Sequence, residues 1–387
     1  MKKKVLVRGP LLSQSGYGNH AREIVKWLLK KDEFDVLTQV LHWGITPWHL
    51  NSDDFDGLVG KIMEKSVTSM PANIDISYQI QLPHEWDHTI AAKNVGVTAA
   101  VETDICNPSW VTSCNRMDAI VVPSNFTKGT IERSGKLTTP ITVIPESFIE
   151  EITAEDNVLD AEFKSEFNFL VFGMLTGQNP KTDRKNLFYT IKWLLEEFAD
   201  DPNVGIVLKT CSGRGTKIDK KVTQKIVSQV VKEVRKGDFP KINLLHGQMT
   251  NSEVASIYRH PKIKALVSLT RGEGYGLPIQ EAAASDLPVV ATNWSGHLDF
   301  MRLGKFASVD YQMQKVDPAR VDDNIFMPHS RWAEPSEKDA KKRLRKLYES
   351  YSTPKSWATE LGKRIRETLS HEKVCVHWDR HLEGLLE

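Results

Sequence analysis

The sequence predicts an α/β protein with two doubly wound parallel sheets in two domains that face a central cleft. Three observations support this prediction. The chain has 387 residues, which is the size of two ordinary domains. Short apolar segments alternate with segments of helical spacing in both halves, an order typical of parallel sheets covered by helices on both faces. An acidic, irregular stretch at about 150–165 interrupts the alternation and predicts a linker.

The strand candidates are short apolar runs bounded by polar, glycine or proline residues. In the first half they are residues 5–7, 35–40, 74–79, 95–101, 119–122 and 141–144. In the second half they are residues 169–172, 204–209, 242–245, 265–269 and 289–291. Helical spacing is clearest at 187–198 and 220–235, and the chain from about 336 to its end is helical and basic.

Composition disfavours several classes of protein. The formal net charge is +1, so the chain as a whole has no strong attraction to nucleic acid or membrane. No stretch approaches the roughly 20 apolar residues of a membrane-spanning helix. The start Met-Lys-Lys-Lys is not followed by the apolar core of a signal peptide. A cytoplasmic protein, at most peripheral at a membrane, is therefore expected.

Two segments are strongly basic. Residues 209–241 hold ten lysines and arginines against three acids, and residues 338–346 hold six against one. If one side of the predicted helix in segment 209–241 is buried, most of its lysines face solvent. The residues with the spacing of such a buried stripe are Val222, Ile226, Val230 and Val234. Basic faces of this kind suit anionic lipid or the phosphates of DNA.

The most informative segment is 271–281, Arg-Gly-Glu-Gly-Tyr-Gly-Leu-Pro-Ile-Gln-Glu, which follows an apolar strand candidate. Its glycines allow the backbone to approach a ligand closely, and Pro278 suits the first turn of a helix. Free N–H groups at a helix start bind phosphate. Glu273 is expected in the loop and Glu281 in the first helical turn. Paired carboxylates there accept hydrogen bonds from sugar and ribose hydroxyls.

These residues resemble the large retaining glycosyltransferase family four, whose hallmark is two glutamates separated by seven residues. That family has GT-B architecture, in which two Rossmann-like domains face each other. The resemblance implies that Glu273 lies beside the donor sugar and that Glu281 binds the ribose. It implies also that backbone amides cradle the sugar and the diphosphate. The residues that supply those amides are Gly274, Tyr275, Gly276 and Leu277.

The resemblance extends over most of the chain. The segment 286–296 is similar to the family's next strand and loop. The segment 244–249 is similar to the one whose backbone meets the nucleobase, which implies that role for Gly247, Gln248 and Met249. The resemblance therefore predicts three parts of the chain. Residues 1–152 form an N-terminal acceptor domain, 165–345 form a donor domain, and 346–387 form helices that return to the first domain.

A diphosphate needs positive charge. In the family an arginine and a lysine follow the first strand of the second domain. Met174 stands where the arginine is usual, whereas Lys185 fits the lysine position. Either Arg184 or Lys209 is expected to replace the arginine. The alternative interpretation is that Arg184 and Lys185 are surface residues that precede a helix.

The N-terminal half has weaker signals. Gly16 lies in a glycine loop without the GxGxxG spacing, which disfavours a dinucleotide site. The resemblance implies that this loop approaches the donor phosphates, and the alternative is a plain turn. His84 resembles a family histidine that hydrogen-bonds the donor sugar, but a loop histidine bonded to backbone is the alternative. Glu102 and Asp104 are expected to end a strand and to contact the acceptor hydroxyl.

The resemblance implies a hexosyl- or pentosyltransferase that retains the anomeric configuration of a UDP- or GDP-linked sugar. No metal is expected, because protein cations neutralise the diphosphate and Asp54-Phe55-Asp56 lies in an acidic loop without a strand context. The acceptor stays open between a glycan or lipid-linked sugar, a small metabolite and a hydroxymethylated DNA base. A GT-B nucleotide-sugar epimerase and a non-catalytic binding module are the rival interpretations. The oligomeric state is left open.

Overall fold

A computed structural model describes residues 2–154, 159–177 and 179–386. The chain divides into two compact units. The first runs to Ser147 and includes Asp323–Met327 and the chain from His371, whereas the second consists of Phe148–Asp322 and Pro328–Ser370. The predicted linker contains residues 155–158, which lie outside the described residues.

The first unit is built on a six-stranded sheet in which every pairing is parallel. Its strands are β1 (Lys3–Gly9), β2 (Phe34–Val40), β3 (Ile76–Ile80), β4 (Lys93–Val97), β5 (Ala119–Val122) and β6 (Ile141–Val143). Its first four helices are α1 (Gly16–Leu28), α2 (Asp54–Glu64), α3 (Pro108–Cys114) and α4 (Asn125–Ser134). The sheet order is β2-β1-β3-β4-β5-β6. All of β3 is buried, because helices cover both faces of the sheet.

The second unit repeats this architecture with a parallel sheet in the order β12-β11-β10-β7-β8-β9. Its strands are β7 (Phe167–Phe172), β8 (Val204–Thr210), β9 (Lys241–His246), β10 (Ile263–Ser268), β11 (Val289–Thr292) and β12 (Ala307–Val309). An antiparallel hairpin of β13 (Tyr311–Lys315) and β14 (Arg331–Pro335) follows. The prediction of two doubly wound parallel sheets is therefore confirmed, while β12 and the hairpin were not predicted.

The helices of the second unit are α5 (Leu187–Glu197), α6 (Lys217–Val234), α7 (Asn251–Arg259), α8 (Leu277–Ala284), α9 (Leu298–Met301), α10 (Glu337–Glu349) and α11 (Ser352–Thr368). The last helix of the chain is α12 (His371–Leu386). Short 3-10 turns occur at Pro83–Glu85, Glu150–Thr153 and Pro318–Arg320. None of the described helices is long and apolar enough to cross a bilayer.

Packing explains where the chain divides. Leu344 of α10 lies in one apolar cluster with Leu194 of α5, and Leu361 of α11 lies in another with Ala283 of α8. Both α10 and α11 therefore belong to the second unit, rather than to a tail 346–387 that returns to the first. Among the described helices of this tail, α12 belongs to the first unit, and it buries Trp378 in the core of that unit.

The predicted buried stripe of α6 was wrong for two of its members. Val222 is 52% exposed and Ile226 is 38% exposed, whereas Thr223 and Val227 are buried. The inward face of the helix is thus centred one position later in the sequence. Because apolar side chains occur on two faces of this helix, the 3.6-residue period alone does not select the buried one.

Candidate functional site

The predicted glycine loop lies between β10 and α8. Gly276 precedes α8 with φ 102°, a left-handed conformation that favours glycine. A Cβ atom added at Gly276 would lie 3.1 Å from Cβ of His297, so the position is also crowded. Pro278 lies in the first turn of the helix, as predicted. The backbone here is thus shaped for the close approach of a ligand.

Glu273 lies in this loop and is paired with two cations. Both of its carboxylate oxygens accept hydrogen bonds of 2.7 Å from Nζ of Lys185. Nη1 of Arg184 lies 3.6 Å from Oε2 of the same carboxylate. Burial by itself would raise the pKa of Glu273, but Lys185 and Arg184 together outweigh it and lower the pKa to about 2. The site therefore holds a buried, ionised carboxylate between two cations.

The cations are presented by a loop that is organised around Asp183. Oδ1 of Asp183 accepts hydrogen bonds from N and Oγ1 of Thr176, at 3.0 and 2.7 Å. Its Oδ2 accepts from N of Leu187 at 2.7 Å and so caps α5. Asn186 adopts a left-handed conformation, φ 56°, and donates to the carbonyl of Leu269 at 2.9 Å. Arg184 and Lys185 are therefore held between fixed neighbours and are not free surface residues.

Arg271 connects this loop to the hairpin. Its Nε and Nη2 donate to the two carboxylate oxygens of Glu334 in β14, at 2.6 and 3.0 Å. Its Nη1 donates to the carbonyls of Pro180 and Asp183, both at 2.7 Å. Its backbone N–H donates to the carbonyl of Arg184 at 2.9 Å. One buried guanidinium thus joins three segments of the second unit.

This role of Arg271 was not predicted from the sequence. The guanidinium lies 5.7 Å from the ring of Tyr189 and 5.5 Å from that of Trp332, and only 2% of the residue is exposed. A charged residue three positions after the end of β10 was the available signal. Its partner Glu334 lies 63 positions along the chain, and no local pattern identifies it.

The loop after β11 supports Glu273 from the other side. Oγ of Ser295 accepts from the backbone N–H of Glu273 at 2.9 Å, and N of Gly296 donates to the carbonyl of Glu273 at 2.9 Å. A Cβ atom at Gly296 would lie only 2.0 Å from the carbonyl oxygen of Gly274. Burial lowers the pKa of His297, whose Nε2 lies 2.8 Å from the carbonyl of Thr292. This geometry assigns the proton to Nε2 of a neutral imidazole.

Glu281 lies in the second turn of α8, not in the first as predicted. Its Oε2 accepts a hydrogen bond of 3.0 Å from the hydroxyl of Tyr258 in α7. Burial, then the neighbouring carboxylate, raises the pKa of Tyr258 well above its usual range, so the hydroxyl keeps its proton and donates. Tyr258 was not predicted, because α7 carries no sequence pattern that relates it to α8.

Lys209 occupies a different position from the two other cations. Its Nζ donates to the carbonyl of Gly247 at 2.6 Å, and burial lowers its pKa. Gly247, with φ 109°, begins the short turn between β9 and α7 that also contains Gln248 and Met249. The structure therefore brings Arg184 to Glu273 and brings Lys209 to the turn 247–249.

The predicted residues of the first unit lie in three separate segments of that unit. Gly16 is the first residue of α1, after the capping residue Ser15. His84 is exposed in the turn Pro83–Glu85, and its ring stacks on Trp110 with centroids 5.6 Å apart. Glu102 and Asp104 do not end a strand, because β4 already ends at Val97. They lie in the loop that leads to α3.

No protein-family model and no curated protein sequence matches the chain. Solved structures do match over the full length. A glycosyltransferase from Rickettsia africae has a TM-score of 0.65 and 14% identity, covering 100% of this chain and 99% of that chain. Sucrose-phosphate synthase from Thermosynechococcus elongatus has a TM-score of 0.64 and 12% identity, with coverage of 100% and 99%. An Anabaena protein in complex with UDP and glucose has a TM-score of 0.62 and 12% identity, covering 99% and 100%. The fold is the GT-B fold of glycosyltransferases.

Proposed function

We propose that this chain is a glycosyltransferase that moves a hexosyl or pentosyl group from a UDP- or GDP-linked sugar to a hydroxyl acceptor, as a member of family four. The buried cluster of Glu273, Lys185 and Arg184 beside the glycine loop is the observation that carries this proposal. The carboxylate suits the sugar end of a sugar diphosphate, and the two cations suit its phosphate end. The neighbour crystallised with UDP and glucose favours UDP as the carrier.

Each group has a proposed part in donor binding. Glu281, oriented by Tyr258, accepts hydrogen bonds from the ribose hydroxyls. The turn of Gly247, Gln248 and Met249, anchored by Lys209, faces the nucleobase. The amides of Gly274, Tyr275, Gly276 and Leu277 bind the diphosphate at the start of α8.

The proposed reaction retains the anomeric configuration. The bond between the anomeric carbon and the phosphate oxygen breaks, and its electron pair stays on the diphosphate. Lys185 and Arg184 stabilise that developing charge in a buried site, where such interactions are strongest. The acceptor oxygen bonds to the anomeric carbon on the same face, and its proton passes to the leaving phosphate. Glu273 stabilises the positive charge that the sugar ring gains.

The resemblance assigns further parts to the first unit. His84 would hydrogen-bond the donor sugar, Gly16 would approach the phosphates, and Glu102 and Asp104 would contact the acceptor. Since the proposed mechanism relies on protein cations, we expect activity to persist in the presence of a metal chelator. A strict requirement for a divalent cation would contradict this part of the proposal.

A product assay with a panel of UDP- and GDP-sugars tests the proposal. We expect release of the nucleoside diphosphate with a glycosylated acceptor, and we expect both to fall by about 10²–10³-fold in Glu273→Gln. Glu360→Gln, an exposed carboxylate on α11, is the matched control and keeps activity. Conversion of the sugar nucleotide without any acceptor would identify an epimerase instead. Glycosylation only of hydroxymethylated DNA would identify the DNA acceptor.

A further inference from the structure

Helix α6 exposes a row of apolar side chains. Ile218 is 74% exposed, Val222 is 52% exposed and Ile226 is 38% exposed. These residues are four positions apart, so they lie along one side of the helix. Three large aliphatic side chains in a row on an exposed helix face are unfavourable in water. The row therefore suggests a partner.

A row of lysines runs beside the apolar row. Lys217, Lys221 and Lys225 are also four positions apart, and each precedes an apolar residue of the first row by one position. All three lysines are exposed, and none forms an ion pair with a described residue. The outward side of α6 thus carries two parallel rows, one aliphatic and one cationic.

The acids of the helix do not neutralise this face. Asp219 is engaged in the capping box, where Oδ2 accepts from N and Oγ1 of Thr216 at 2.9 and 2.8 Å. Glu233, near the other end, accepts a hydrogen bond of 2.5 Å from Gln229. The three lysines therefore keep their charge available for an external anion.

The apolar row is not needed to hold the helix on its domain. Thr223 and Val227 form the buried side, and Val230, Val231 and Val234 pack against the adjacent cluster. The exposed and buried apolar positions thus belong to different sides of α6. Substitutions in the exposed row can be tested without disturbing this packing.

We propose that the outward face of α6 docks on an anionic lipid surface, with the helix axis parallel to the membrane. The aliphatic row enters the boundary between headgroups and acyl chains, and the lysines pair with lipid phosphates. This inference concerns a surface remote in the sequence from Glu273 and holds whether or not the proposed transfer is correct.

Two other partners fit the face less well. Nucleic acid offers phosphate to the lysines but no apolar surface to the aliphatic row. A second copy of the chain would bring like charges together, and three side chains cover far less than the roughly 800 Å² per partner of a stable interface. Of these three partners, a lipid surface is the one with a complement for both rows.

Helix α10 provides a control within the same unit. Lys338, Lys342 and Lys346 form an exposed row of the same spacing. The apolar residues Ala340, Leu344 and Leu347 of that helix are buried. α10 is therefore basic without an exposed aliphatic row, and we expect it not to dock.

Flotation of the full chain with vesicles tests the proposal. One set contains phosphatidylcholine alone, and the other contains phosphatidylcholine and phosphatidylglycerol. We expect binding to the anionic set only. The variant Lys217→Gln/Lys221→Gln/Lys225→Gln should bind at least about tenfold more weakly. The variant Ile218→Ser/Val222→Ser/Ile226→Ser should also lose binding, whereas Lys338→Gln/Lys342→Gln/Lys346→Gln should bind like the wild type.

Each contrary result has a distinct meaning. Failure of the wild type to bind anionic vesicles overturns the proposal. Equal loss in the α10 control shows attraction by total charge and also overturns it. Retained binding in the serine variant overturns the part assigned to the aliphatic row. Tight binding of duplex DNA that survives the serine substitutions, with no vesicle binding, would assign the face to nucleic acid. Unchanged thermal unfolding of every variant verifies that the fold is intact.

Discussion

The loops at the strand ends differ in chemistry between the second unit and the first. In the second unit, Glu273 is buried and lies 2.7 Å from Lys185. The first unit has a stacked aromatic pair beside the start of α1. Tyr17 stacks on Trp43 with centroids 4.1 Å apart, and its hydroxyl lies 2.9 Å from that of Thr98. Burial raises the pKa of Tyr17, so this hydroxyl stays neutral.

The difference follows from the cost of burying charge. An ionised carboxylate is stable in a protein interior only when it is paired and hydrogen-bonded. The ion pairs of Glu273 with Lys185 and Arg184 are therefore part of the folded second unit. Aromatic rings and neutral hydroxyls need no partner of opposite charge. This contrast predicts that substitutions in the second unit affect donor binding, stability and turnover, whereas those in the first affect turnover alone.

The largest effect is expected from Glu273→Gln. The amide has no negative charge to stabilise the sugar in the transition state, so we expect kcat to fall by about 10²–10³-fold. Steady-state assays with Glu360→Gln as the control measure this. Near wild-type turnover in Glu273→Gln would remove the carboxylate from the mechanism and break the contrast between the units.

A large effect on stability is expected from Arg271→Met. The substitution leaves Glu334 and two carbonyls without their donor, so we expect the free energy of unfolding to fall by about 3 kcal/mol. Because the loop that carries Arg184 and Lys185 is then less well held, donor KM should also rise. Urea unfolding measures the first effect, with the exposed Arg302→Met as the control. Equal stability of both variants would show that the Arg271 contacts contribute little.

A smaller and different effect is expected from His84→Ala. His84 is exposed in the first unit and contacts Trp110, so its loss should leave nucleotide affinity unchanged. If it hydrogen-bonds the donor sugar, kcat should fall by about tenfold. Calorimetry with UDP together with kinetics separates the two quantities. Weakened binding of UDP itself would contradict the assignment of the nucleotide to the second unit.

The smallest effect concerns acid stability. Because the folded-state pKa of Glu273 is about 2, its ionisation stabilises the protein above the ordinary value of 4.5, and this contribution is lost as the pH falls toward 2. Stability of the wild type relative to Glu273→Gln should therefore decrease between about pH 5 and pH 3. Denaturant titrations of both proteins measure it. A constant difference over this range would show that the carboxylate is not held ionised.

The sequence predicted the glycine loop and the helix after it, because their signals lie in one continuous segment. The glycines, Pro278 and both glutamates occur between residues 271 and 281, and Lys185 directly precedes a predicted helix. Arg271 and Tyr258 were not predicted, because their partners come from distant elements. A hydrogen bond across 63 positions leaves no local pattern in the sequence.

The fold was predicted in a similar way. Apolar runs predicted eleven of the twelve strands of the two parallel sheets, with strand ends uncertain by a few residues. The end of β4 was placed four residues too late, because Ala99, Ala100 and Val101 continue the apolar run beyond the ladder. On α6 the period identified the helix but not its buried side, since aliphatic residues occur on both.

The central claim is that the second unit binds a nucleotide sugar through Glu281 and the glycine loop. Thermal stabilisation by a panel of nucleotides and nucleotide sugars tests it most directly, with Glu281→Ala measured in parallel. We predict that a UDP- or GDP-sugar raises the melting temperature of the wild type, and that the variant needs a higher concentration for the same shift. No shift with any nucleotide, at concentrations far above ordinary dissociation constants, would contradict the claim.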